Sequence, residues 1–177
     1  MSDVAKSKEL LKRYSIARIP FIAVNTIERA RTLDILKEIA EELALPFYVH
    51  TLSKGLYDLT TEKVINDDKS VYGAIDFMSE QMKRKQYMTL ILTEVPDLSG
   101  DNSDSKQILD LVTLANESGG VVIVLTNHAI WNQLQRLGMV IKIDLPNEDE
   151  MYAIIKEYID AVSYTHLRAH ETVLDLV

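Results

Sequence analysis

Cysteine is absent from the 177-residue chain. Disulfides, thiolate metal sites and cysteine nucleophiles are therefore excluded, and a reducing compartment is allowed. Proline and glycine are scarce, at 4 and 6 residues, and tryptophan occurs once. With so few breakers, residues 1–161 contain no linker, repeat or low-complexity tract. No apolar run reaches the roughly 18 residues of a membrane-spanning helix. The start, Met1-Ser2-Asp3-Val4-Ala5-Lys6, lacks the apolar core of a secretory signal. Positive charge is the remaining deficit: 19 Lys and Arg face 27 Asp and Glu, a net charge of −8. Without a Lys/Arg stripe, the balance argues against nucleic acid or an anionic membrane as partner. What is present is ordinary for a globular core, at 47% hydrophobic and 26% charged residues. The expectation is one cytoplasmic domain with a sizeable core.

Hydrophobic periodicity gives that domain its architecture. Residues 7–17 read as a short helix with Leu10, Leu11, Tyr14 and Ile16 on its apolar side. The run 21–24 after Pro20 is apolar throughout, as suits a strand buried on both faces of a parallel sheet. Thr26 is placed to cap the next helix. There Leu33, Leu36, Ile39, Ala40 and Leu43 recur at spacings of three and four, with Asp34, Lys37, Glu38, Glu41 and Glu42 outside. Pro46 ends that helix, and 47–50 is a second strand.

Residues 55–69 are polar and turn-rich and read as loop. Helix 71–83 follows, with Ile75, Met78 and Met82 inward, then a third strand over 88–93. A loop over 96–104 leads to helix 105–116, terminated by Gly119-Gly120. A fourth strand over 121–126, a short helix over 130–137, a fifth strand over 139–144 and a last helix over 148–159 complete the pattern. Alternating strands and helices predict a three-layer α/β sandwich around a five-stranded parallel sheet, joined by right-handed crossovers.

Residues 162–177 break this pattern. The string Val162-Ser163-Tyr164-Thr165-His166-Leu167-Arg168-Ala169-His170-Glu171-Thr172 looks like the one-frame translation of a transposase-type sequencing adapter. Asp175-Leu176-Val177 matches the next fixed adapter bases beyond a two-residue index. The segment is set aside from fold reasoning as an artefactual tail. His166 and His170 are accordingly not read as a metal site, and the native gene is expected to continue past Asp160.

In sheets of this type ligands bind outside the carboxyl ends of the strands. After strand one come Asn25-Thr26-Ile27-Glu28-Arg29-Ala30-Arg31-Thr32. Against the phosphate-loop pattern G-x-x-x-x-G-K-[ST], Arg31 takes the lysine slot and Thr32 the Ser/Thr slot. Asn25 and Ala30 stand where the glycines should be. Those glycines matter because the loop adopts positive φ and approaches the phosphates closely. Glu28 adds a carboxylate inside the cradle, where it repels phosphate. Arg31 and the helix N-terminus retain an attraction for phosphate, and a plain strand-to-helix turn is the other reading.

After strand three, Thr93-Glu94 stand where a P-loop ATPase keeps an acidic pair for Mg²⁺ and water activation. Glu94 is the retained acid. After strand four, Thr126 and Asn127 stand where a polar side chain meets the γ-phosphate or the attacking water. Hydrogen bonding within the local turn is the alternative there. His128 and Trp131 read as surface or packing residues. No Ser/His/Asp set, metal spacing or G-x-G-x-x-G appears.

Together these positions resemble the AAA+ ATPase core over most of residues 14–160, and the resemblance implies a P-loop-NTPase-like sheet with strand order 5-1-4-3-2. Leu90-Ile91-Leu92-Thr93-Glu94 is similar to a Walker B strand, and Val122-Ile123-Val124-Leu125-Thr126-Asn127 to a sensor-1 strand. More narrowly, the layout resembles the N-terminal half of two-part AAA proteins of cyanobacterial and plastid type. In those proteins a degenerate AAA-like domain precedes a catalytic one. Arg136 lies in the arginine-finger region, but Gly138 and Met139 depart from the usual context.

The resemblance implies a non-catalytic or regulatory domain. Its ATP, Mg and hydrolysis would belong to a downstream AAA+ domain of the same chain, and the full-length protein would form a homo-oligomer with a protein client. No cofactor is expected in residues 1–161, and no metal site. The alternatives are an atypical ATPase using Arg31, Thr32, Thr126, Glu94 and Asn127, and an unrelated α/β interaction or signalling module.

Overall fold

The computed structural model describes residues 3–160 apart from 86 and 157. The artefactual tail proposed for 162–177 lies outside the described residues. The chain divides into two units, Asp3–Asp144 and a second beginning at Leu145.

The first unit is built on strand β1 (Phe21–Asn25), buried over its first four residues. Phe21, Ile22 and Val24 are wholly buried and Ala23 nearly so. Alternation sends Phe21 and Ala23 into one core and Ile22 and Val24 into the other. β1 is therefore covered on both faces, which explains its continuous apolar run. β6 (Val121–Thr126) and β7 (Gly138–Lys142) flank it, both parallel. β5 (Thr89–Leu92) pairs with β6, and β2 (Phe47–Thr51) with β5, again parallel.

One core lies beneath α1 (Asp3–Ile16) and α2 (Arg29–Leu43), where Leu11, Leu36 and Ile39 meet Val24, Val49 and Ile123. The other lies beneath α3 (Val71–Arg84) and α4 (Ser103–Ser118), where Met78, Met82, Ile108 and Val112 meet Leu90 and Val122. Lys8 and Lys12 of α1 pair with Glu38 and Glu42 of α2 at 2.7–2.8 Å. The two lysines hold the Glu42 carboxyl at about 2, well below the usual carboxylate range.

The sheet differs from the sequence expectation. It has seven strands and is mixed, in the order β4-β3-β2-β5-β6-β1-β7. Residues 55–69, read as loop, contain β3 (Gly55–Asp58) and β4 (Val64–Asn66), both antiparallel to their neighbours. Their brevity hid them: β4 has three residues, and Val64 and Ile65 are exposed. Such short edge strands carry little periodicity. A tight turn at Gly55, with φ near +77°, starts the hairpin return. The expected helix over 130–137 shrinks to α5 (Asn132–Gln135).

In the second unit, residues 148–156 and 158–160 are helical. Asn147 and Glu150 cap that helix reciprocally: the Glu150 N–H donates to Asn147 Oδ1, and the Asn147 N–H to Glu150 Oε2.

β7 lies so close to β1 that a Cβ on Gly138 would stand 1.8 Å from the Phe21 carbonyl oxygen. Backbone cannot yield as a flexible side chain can. Gly138→Ala is expected to cost about 1–3 kcal/mol through overpacking, read as a lowered urea midpoint. An unchanged midpoint contradicts this account of the β1–β7 approach.

Candidate functional site

β1, β2, β5, β6 and β7 end on the same side of the sheet, as parallel strands must. The site expected there begins at the turn joining β1 to α2. Only Thr26, Ile27 and Glu28 separate the two elements. Thr26 is 5% exposed, and its N–H donates to the Thr126 carbonyl at 2.9 Å. Thr26 Oγ1 accepts the Glu28 N–H at 3.0 Å, closing a hydroxyl-capped turn. The expected role of Thr26 as helix cap is thereby corrected. The N-cap of α2 is Glu28, whose side chain makes no capping bond. The hydroxyl is used one step earlier because the turn is too short to place Thr26 at the cap.

Thr32 is wholly buried. Its Oγ1 donates to the Glu28 carbonyl at 2.9 Å and stands 3.3 Å from Thr26 Oγ1. This hydroxyl occupies the slot that would face Mg²⁺, yet it points into the turn. Arg31, in the lysine slot, pairs with Glu28 Oε2 at 2.5 Å. The carboxylate that was expected to repel phosphate instead holds the arginine that would attract it. Both side chains are less than a third exposed, so the pair is screened less than a surface one.

Glu94, after β5, is tied on two sides. Its Oε1 accepts from Arg29 at 3.2 Å, and its Oε2 accepts the Leu52 N–H beyond β2 at 3.0 Å. Thr93 turns down to donate to the His50 carbonyl at 2.9 Å. Thr126 Oγ1 accepts the His128 N–H at 3.1 Å, repeating the hydroxyl-capped turn of Thr26 one strand away. Asn127 is exposed on the loop beyond.

The structure thus brings Thr32, Arg31, Glu28 and Thr26 into one cluster, and Glu94 into another with Arg29. Arg29 was missed in the sequence. Its only signal is its place in the first turn of α2, facing the end of β5. Trp131 packs against the core and His128 is exposed, as expected for non-catalytic residues.

These residues do not fit Mg-ATP at this turn. The hydroxyl is turned inward, the arginine is paired, and no glycine occupies 25–32. Among the described residues no group of three or more His, Cys, Asp or Glu could hold a metal ion.

A second buried polar group lies below Glu94. His50 is wholly buried on β2, and neither ring nitrogen has a hydrogen-bond partner. Burial pushes the imidazole below its ordinary value, although the Glu94 and Asp68 carboxylates and the Asp68–Lys69 backbone pull the other way. The unfolded chain therefore takes up the proton first. Stability attached to His50 is full above about pH 6.5, the unfolded value, and is lost as pH falls through it. Thermal midpoints measured between pH 7.5 and 5.5 are expected to fall more in the native chain than in His50→Leu. Parallel curves contradict the burial of a neutral imidazole.

Among the described residues no helix is long and apolar enough to cross a membrane. No curated protein matches the chain. Solved structures that share the fold include the following two. Caenorhabditis elegans PCH-2 aligns with a TM-score of 0.56 at 13% identity, covering 92% of this chain. The chain spans 46% of PCH-2. The genome-packaging NTPase B204 of Sulfolobus turreted icosahedral virus 2, solved with AMP, aligns with a TM-score of 0.50 at 12% identity. That alignment covers 77% of this chain and 80% of B204. The family model described as the N-terminal domain of SpoVK-like AAA ATPases matches residues 7–143. The chain therefore belongs to the SpoVK-like AAA ATPase N-terminal domain family.

Proposed function

We propose that residues 1–161 form a cytoplasmic, non-catalytic AAA-like domain that serves assembly, regulation or client engagement. ATP binding and hydrolysis then reside in a separate AAA+ domain of the longer protein, which acts as a homo-oligomer. The observation that carries this reading is the buried Thr32 hydroxyl, spent on Glu28 and Thr26. A magnesium ligand must present its oxygen to an open metal site, and the Thr32 side chain is wholly buried within the turn. The Glu28–Arg31 pair supports the same reading, because phosphate entering the turn must displace a carboxylate already there. The family description supports the placement ahead of a further domain.

Retention of Glu94 favours the second reading, an atypical ATPase using Arg31, Thr32, Thr126, Glu94 and Asn127. Against it, both Glu94 oxygens already accept hydrogen bonds from within the domain.

The two separate in a titration. Calorimetry of the chain with Mg-ATPγS is expected to show no saturable binding up to about 1 mM, with Arg31→Ala indistinguishable from native. Magnesium-dependent binding tighter than about 100 μM, lost in Arg31→Ala, overturns the non-catalytic reading.

A further inference from the structure

Opposite the β4 edge, the sheet ends at β7, which among the described residues pairs with β1 alone. Its register shows which main-chain groups face outward. The Ile143 N–H donates to Asn25 in β1, whereas the Lys142 carbonyl points away and accepts from Ser7 of α1. Alternation therefore turns the N–H and C=O of Val140 outward with Lys142. Met139 and Val140 are 42% and 53% exposed. Beside Val140 opens a cavity of about 220 Å³, lined by Asn25, Thr126, His128, Ala129, Ile130 and Gln135 among others. It sits where β1 has the small Ala23 and where α5 is too short to cover the sheet.

The chain leading through α5 into this edge carries no carboxylate before Asp144. Residues 119–143 contain no Asp or Glu, in a chain that has 27. They do contain Arg136, exposed at the end of α5, and Lys142. At its Lys142 end β7 is blunted by the lysine, which pairs with Asp144, and by α1, whose Ser7 takes the Lys142 carbonyl; Met139 and Val140 carry no proline, inward charge or bulge.

We propose that β7 is a docking edge for an extended, acidic segment of a partner protein, which adds a short parallel or antiparallel strand. Val140 supplies the main-chain hydrogen bonds. An uncharged side chain of the partner reaches the cavity beside it, whose walls carry no formal charge when His128 is neutral. Acidic residues flanking that side chain meet Arg136. Strand addition of this kind draws affinity from the main chain and specificity from alternate side chains.

The probe is a capped peptide of alternating valine and threonine ending in two aspartates, titrated into the full chain and followed by amide chemical shifts. Shifts are expected at Met139, Val140 and Ile141, with saturation below about 2 mM. Val140→Pro removes the outward N–H at an edge position where proline is tolerated and is expected to abolish binding. Arg136→Glu, and a peptide ending in two lysines, are each expected to weaken it about tenfold, 1.4 kcal/mol. Unchanged thermal midpoints in both variants establish that they fold. Absence of shifts, or binding indifferent to Val140→Pro and Arg136→Glu, overturns the proposal. So does concentration-dependent self-association lost in Val140→Pro, which would make a second copy the occupant. None of these outcomes depends on whether the β1–α2 turn binds nucleotide.

Discussion

The hydroxyl of Thr32, folded back on the carbonyl of Glu28 and the hydroxyl of Thr26, fixes the junction from which the rest of the first unit is arranged. It sets how few residues separate the central strand from its helix. It holds Glu28 where its carboxylate meets Arg31, and it leaves Arg29 at the helix start, within reach of Glu94. A buried polar group without a partner costs about 1–3 kcal/mol. Here each hydroxyl has found its partner within the turn, so no ligand is required to satisfy it. That is the physical difference between this turn and one built to wait for phosphate.

The ends of the neighbouring strands show the same economy. Thr126 closes its own turn on His128, Thr93 bonds back to His50, and Glu94 spans the space between β5, β2 and α2. The Arg29–Glu94 pair is half exposed and worth about 0–1 kcal/mol by itself. Its effect is geometric: with the Leu52 N–H it ties the ends of β5 and β2 to the start of α2. Thr93, Glu94 and Thr126 are each engaged by the scaffold. His50 stands apart, wholly buried beneath them, where burial disfavours the charged imidazole.

Much of this was legible in the sequence. The five parallel strands lie in the order that the family resemblance implied, and the largely apolar β1, β5 and β6 are the central ones. The positions of Arg31, Thr32 and Glu94 at strand ends were also readable, since they follow from strand limits. The hairpin of β3 and β4 was not, because strands of four and three residues, the outer one exposed, are too short to leave a periodic trace. Nor was the partner of each polar side chain. Thr26 reads equally well as a helix cap or a turn closer, and only the length of the turn decides. Glu28 read as a repulsive charge becomes an internal ligand once Arg31 is seen to face it. Motif spacing locates a side chain along the chain; it does not say which way the hydroxyl points.

The most direct measurement is a crystal structure of the chain grown in about 5 mM Mg-ATPγS. The expected result is a turn without nucleotide, Thr32 Oγ1 still bonded to Glu28 and Arg31 still paired with its carboxylate. Density for phosphates at the start of α2, with Thr32 swung outward onto magnesium, would contradict the claim that this domain has filled its own phosphate site.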